Sequence, residues 1–188
     1  FDEERRQWRD EAFTDPLCQI PNRRGARHEI DRMSGESDPS LPAQWSVAAI
    51  DIDEFKSVND RFGHAVGDRV LAMVASVLAE HPPLGGAVAR WGGDEFVVFT
   101  LRGDAAMSSW ADQVGAEISR RSVPCRSGSV RVSVSIGLSN GTVAAGFDDA
   151  LAAADEALYA EKVDRAAPIV LPGSSGEERR QNAHALRG

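Results

Sequence analysis

The chain has 188 residues, 42% of them hydrophobic and 27% charged, with a formal net charge of −8; this is enough chain for one domain with a real core. The acidic balance argues against a nucleic-acid partner, since phosphates want a basic face, although a small basic pocket for a single nucleotide is compatible with it. No apolar run approaches a membrane span and no signal-peptide pattern is present. Cys18 and Cys125 have neither CxxC spacing nor neighbouring histidines, which speaks against zinc and for two free thiols in a reducing cytoplasm, with a single disulfide as the alternative. The chain does not begin with Met and is expected to be a fragment, with any sensor or membrane segment outside it.

Residues 1–14 read as a charged linker helix with a sparse apolar stripe of Phe1, Trp8, Ala12 and Phe13, broken by Asp15-Pro16. Asn22 is placed to cap a helix running to about Met33, and Ser34 to Pro42 reads as a loop. Trp45 to Ile52 is a continuous apolar run ending in acid, the pattern of a strand buried on both faces. Val66 to Glu80 carries Val70, Leu71, Val74, Val77 and Leu78 at helical spacing, and His81-Pro82-Pro83 ends it. A hairpin is expected from Ala87 to Leu101. Its turn is Gly92-Gly93, both residues at φ > 0. Ala105 to Arg121 is a further helix, with Met107, Trp110, Val114 and Ile118 on one stripe. Val130 to Ile136 alternates as a half-buried strand would. Gly146 to Val163 is the last helix, using Leu151, Ala154 and Leu158, and residues 172–188 read as a disordered tail. The folded unit is therefore expected over 15–171.

The central order is β-α-β-β-α-β, the split βαβ pattern of an α/β (α+β), ferredoxin-like domain: a central antiparallel sheet flanked by helices. In that topology the first and third strands are neighbours. The acids that end the first, Asp51-Ile52-Asp53, then meet the acids of the hairpin turn, Asp94-Glu95. Converging carboxylates repel, and a divalent cation is the usual remedy, with phosphate the usual purpose.

Several motifs in this order carry a resemblance: Pro21-Asn22-Arg23-Arg24, Asp51 through Asp60, Phe62-Gly63-His64, Gly67-Asp68, Arg90-Trp91-Gly92-Gly93-Asp94-Glu95-Phe96, Ser135-Ile136-Gly137 and Ala154 through Tyr159. Together they resemble the GGDEF family of diguanylate cyclases, related in fold to nucleotide cyclase and polymerase palm domains, over roughly Asp15 to Lys162. The resemblance implies that two GTP molecules, one on each of two protomers, condense to cyclic di-GMP and pyrophosphate. It implies Mg²⁺, with Mn²⁺ as a substitute, held by Asp51, the Ile52 carbonyl and Asp94. It assigns Asp94 and Glu95 to the metals and to activation of the attacking 3′-hydroxyl, with the choice of base open. Lys56 would add positive charge where the reaction develops negative charge. Phe55, Asn59, His64 and Asp68 would line the nucleotide pocket, and Lys162 would bind phosphate. Asn59 and Asp68 resemble the guanine readers; a carboxylate accepts the paired N1 and N2 donors of guanine, which adenine lacks. Asp68 also reads as an acid near a helix N-terminus, and His64 either lines the pocket or fixes the Gly63–Gly67 turn.

Three departures stand out. Leu17-Cys18-Gln19-Ile20 replaces Leu-Thr-Gly-Leu at the junction where the family transmits its signal. The phosphate-binding arginine falls on Ala166, with Arg165 about 100° away on a helix. The Arg-x-x-Asp of the product-inhibition site falls on Pro83-Leu84-Gly85-Gly86, so feedback through that site is expected to be absent. The alternative function is a catalytically weak or inactive domain that binds GTP as a receptor or scaffold. A third reading is a palm-type nucleotidyl transferase for another nucleotide. An N-terminal sensor domain in the same chain is the expected source of regulation.

Overall fold

A computed structural model describes residues 12–36, 45–101, 105–139 and 146–166. The linker helix upstream of Ala12, most of the Ser34–Pro42 loop and the tail beyond Leu171 lie outside the described residues. The elements in order are α1 (Arg23–Glu36), β1 (Ser46–Ile52), α2 (Phe55–Phe62), α3 (His64–Glu80), β2 (Gly86–Gly92), β3 (Glu95–Thr100), α4 (Ala105–Arg120), β4 (Val123–Cys125), β5 (Gly128–Val130), β6 (Val134–Leu138) and α5 (Phe147–Ala166). β2, β3, β1 and β6 form one sheet in that order, every pair antiparallel. This is the expected palm-like arrangement, with β1 and β3 side by side at its centre.

The two-residue period of β1 sorts its side chains into two cores. Ala48, Ile50 and Ile52 pack with Val58, Val66, Val70, Val74, Val114 and Ile118 of α2, α3 and α4. Val47 and Ala49 pack on the opposite face, with Ala26, Ile30, Ala150, Leu151 and Ala154 of α1 and α5. Asp51 continues the second series and so belongs to the α1/α5 face. On β3, Phe96 and Val98 join the first core, Val97 and Phe99 the second. The same parity puts Glu95 on the face that carries Asp51. Asn22 caps α1 as expected, its Oδ1 accepting the N–H groups of Arg24 at 2.9 Å and Gly25 at 3.0 Å.

Three details differ from the sequence reading. Phe55–Phe62 is a helix, where the sequence reading placed no element between Ile52 and Val66; Phe55, Val58 and Phe62 face the core side, and Gly63 at φ 83° separates it from α3. Its eight residues are too short a stretch for periodicity to separate from a loop. The expected strand Val130–Ile136 is divided between β5 and β6, and β4 with β5 forms a separate small hairpin. Alternation stops at Val134 because β6 is covered on both sides: Ser135 is 1% exposed, while Ile136 packs on the first core. Finally, Gly92 pairs with Glu95, so the two-residue loop is Gly93-Asp94. Only Gly93 is left-handed, at φ 49°, the pattern of a turn with glycine at its first central position alone. Both cysteines are free.

Candidate active site

The sheet ends in a concentration of acids. Asp51 and Glu95 are direct partners across β1 and β3, and the Ile52 N–H donates to the Asp94 carbonyl at 3.4 Å, tying the hairpin turn to the end of β1. Lys162 of α5 lies on the same face and places its Nζ 2.7 Å from Asp51 Oδ1. Burial pushes the Asp51 carboxyl up, Lys162 pulls it back, and Asp94 and Asp53 push it up again. Burial also raises Glu95, followed by repulsion from Asp51, Asp94 and Asp155. These acids therefore sense one another, as the sequence reading required. Asp155 lay only within a quoted motif there, and its influence on Glu95 has no signal in the sequence spacing.

The donor set is all oxygen, the chemistry a hard divalent cation wants. Among the described residues, no group of three or more His, Cys, Asp or Glu side chains stands close enough to hold a metal ion by itself. Mg²⁺ asks for less: one or two carboxylates, completed by waters and substrate phosphates. Asp51, Asp94 and the Ile52 carbonyl fit that description.

The expected base readers gather on the other layer. Asn59 and Phe55 stand one turn apart on α2 and lean onto Gly67 of α3. A Cβ at Gly67 would come within 2.0 Å of Asn59 Oδ1 and 3.3 Å of Phe55 Cζ. Glycine there lets α3 approach α2 closely. Gly67→Ala is expected to keep the fold, because the obstructing atom ends a mobile side chain, but to turn Asn59 aside. A thermal melt is expected to show an unchanged melting temperature. Lys56 is exposed in the first turn of α2, Asp68 is exposed in the second turn of α3, and His64 opens α3 and is exposed. The side chain of Arg165 lies outside the described residues.

Arg90 had no role in the sequence reading beyond its motif. Its guanidinium donates to both oxygens of Asp15 at 3.1 Å and to the Gly93 carbonyl at 3.0 and 2.7 Å. Burial works against the Asp15 carboxylate, but the Cys18 amide and Arg90 more than offset it and hold its pKa below the usual range. The Pro83–Gly86 stretch is a tight turn, with the Gly86 N–H donating to the Pro83 carbonyl at 2.8 Å.

Residues 12–167 match the family described as "Diguanylate cyclase, GGDEF domain". Diguanylate cyclase DgcM of Escherichia coli (strain K12) is 34% identical over 155 residues, covering 81% of this chain and 37% of that protein. The chain thus spans about a third of the length of such curated relatives. Among solved structures, the coiled coil and GGDEF domain of DgcB from Caulobacter crescentus, in complex with c-di-GMP, superposes with a TM-score of 0.77. Its identity is 31%, and the match covers 87% of each chain. Diguanylate cyclase SiaD from Pseudomonas aeruginosa, in complex with its activator SiaC, gives a TM-score of 0.74 at 25% identity, covering 87% of this chain and 65% of that one.

Proposed function

We propose, from the premise that this chain belongs to the GGDEF family of diguanylate cyclase domains, that it condenses two GTP molecules into cyclic di-GMP and pyrophosphate. The observation that carries the reading is the pairing of Asp51 with Glu95 at the sheet end, with the Asp94 turn tied to the same strand. Bound Mg²⁺, with Mn²⁺ as a substitute, would neutralise triphosphate charge and acidify the attacking hydroxyl. Asp51, Asp94 and the Ile52 carbonyl would hold it.

In this reading Asp68 accepts the N1 and N2 protons of guanine and Asn59 completes base recognition. Phe55 backs the base, and His64 lies at the pocket mouth. Asp94 or Glu95 takes the proton from the 3′-hydroxyl as it attacks the α-phosphorus of the second nucleotide. Pyrophosphate leaves from that phosphorus, and Lys56 and Lys162 balance its charge. Lys162 is already drawn to the site by Asp51. Each protomer holds one GTP, so turnover needs two copies face to face. Control by a sensor segment elsewhere in the protein belongs to the same proposal. Among the described residues no helix is long and apolar enough to cross a membrane.

Incubation of the full-length protein with GTP and Mg²⁺, with chromatography of the products, tests this. Cyclic di-GMP is the expected product, and its absence at high protein concentration counts against the proposal. Asp68→Ala should cut the preference for GTP over ATP by about 10–100-fold, the worth of one charged hydrogen bond at roughly 1.5–3 kcal/mol, in a competition assay. An unchanged preference would remove Asp68 from base recognition. A second reading, GTP binding without turnover, is favoured by Ala166 standing where the family has its phosphate arginine. Calorimetric binding of GTP without product selects it.

A further inference from the structure

Asp53 follows β1 directly and carries a carboxylate two residues after Asp51. A free carboxylate there would compete with Asp51 for any cation, since the two already repel. The fold engages it elsewhere. Ser133 Oγ donates to Asp53 Oδ2 at 2.5 Å, and Ser135 Oγ donates to Oδ1 at 2.7 Å. The Asp53 N–H donates to the Ser133 carbonyl at 3.0 Å. Hydroxyl-to-carboxylate bonds of this length are the strong, charge-assisted kind. Ser135 is 1% exposed, so its hydroxyl must find a protein acceptor.

The next residue shows what this clamp holds. Glu54 is left-handed, at φ 53° and ψ 29°, and makes no side-chain cap bond to α2. A non-glycine residue persists in that conformation only where its surroundings over-determine it. The restraint here comes from Asp53 on one side and α2 on the other. Ile52 precedes the corner and Lys56 follows it, so the corner sets where both stand.

We propose that Ser133 and Ser135 are positioning residues: by clamping Asp53 they fix the β1–α2 corner and keep its carboxylate out of the cation's donor set, leaving Asp51 to serve there. The identity of the ligand as a metal–GTP complex rests on the cyclase reading above; the clamp itself does not. Partners bonded directly to a metal ligand are typically worth about 10–100-fold in metal affinity; a clamp one residue beyond the Ile52 carbonyl is expected at the lower end of that range.

The test uses the full chain with Ser133→Ala, Ser133→Thr, Asp53→Asn and the Ser133→Ala/Ser135→Ala double variant. Hydrogen exchange is followed without metal or nucleotide, and binding of a non-hydrolysable GTP analogue is followed by calorimetry with Mg²⁺ and in EDTA. In the double variant the amides of residues 53–56 should exchange about 10-fold faster or more, while those of Val97 and Val98 in β3 keep their protection. Affinity in Mg²⁺ should fall about 10-fold or more, with a distinctly smaller loss in EDTA, where only the placement of Lys56 is affected. Ser133→Ala, whose side chain is exposed, should show the same pattern more weakly without disturbing the core. Ser133→Thr should restore it, and Asp53→Asn, which weakens the clamp but leaves no carboxylate to compete, should speed exchange at the corner with a smaller loss of affinity in Mg²⁺ than the double variant. Unchanged exchange at the corner, or an equal loss of affinity in Mg²⁺ and EDTA, overturns the clamp. A wild-type chain that binds the Mg²⁺–nucleotide but yields no cyclic dinucleotide overturns the cyclase reading instead and leaves the clamp standing.

Discussion

On the proposed cyclase reading, and with Glu95 as the base of the Asp94–Glu95 pair, Glu95→Gln is expected to lower the rate of cyclic di-GMP formation by about 10²–10⁴-fold, the usual worth of a positioned general base, with no loss of thermal stability. Asp94→Asn should do the same by removing a carboxylate from the proposed metal set. The stability half of the expectation follows from the geometry. Glu95 is exposed at the start of β3, and its place in the sheet is set by its backbone pairing with Asp51 and Gly92. Gln preserves that pairing and the side-chain shape. It also removes one charge from a group in which Asp51, Asp94 and Asp155 all repel it, so folding loses nothing. Product chromatography at saturating GTP, with a thermal melt of the same sample, reads both halves. Turnover by both variants at the wild-type rate would remove the hairpin acids from the chemistry. A melt lowered in parallel with activity would assign them to the fold.

Gly137→Ala is expected to be the most damaging single methyl in the described part of the domain. A Cβ there would come within 2.1 Å of the Ala154 carbonyl oxygen, 2.2 Å of the Leu158 nitrogen and 2.7 Å of the Leu158 Cα. These are backbone atoms of α5, so no rotamer change relieves the overlap. The helix must move away from β6. Overpacking of this kind costs about 1–3 kcal/mol, which lowers the melting temperature of a domain this size by about 2–12 °C. Lys162 follows Leu158 by one helical turn and reaches Asp51 because α5 lies so close. The displaced helix should therefore lose activity beyond what unfolding explains, measured at a temperature where the variant is still folded. A variant as stable and active as wild type would mean that α5 does not sit this tightly on β6.

The sequence made the sheet legible because its strands are long apolar runs and its connections are short. The order β-α-β-β-α-β follows from Val47–Ile52 and the two sides of the hairpin, and it brings Asp51 to the hairpin acids without further help. Of the site, only the convergence of Asp51 with the hairpin acids could be argued from strand order; Asn59 and Asp68 came from the family resemblance, and nothing in their spacing marks them. Local chemistry was harder. α2 is only eight residues long, so its period could not be told from that of a loop. Ser135 looked like a solvent-facing residue because alternation assumes one wet face, and β6 has none. Gly93 alone needed a left-handed backbone; the sequence shows two glycines and cannot say which one turns. Contacts across many residues, such as Arg90 with Asp15 and the serines with Asp53, leave no trace in spacing at all.

The sorting of β1 into two cores has a consequence for how the domain melts. Asp51 and Glu95 sit on the layer of α1 and α5, while the proposed base readers sit on the layer of α2 and α3. A nucleotide bound as proposed would straddle the end of β1 like a staple through two sheets of card. Its binding energy would be shared by both layers, and neither could loosen without surrendering it. Such a ligand should merge the fraying of the two halves into one later, sharper transition.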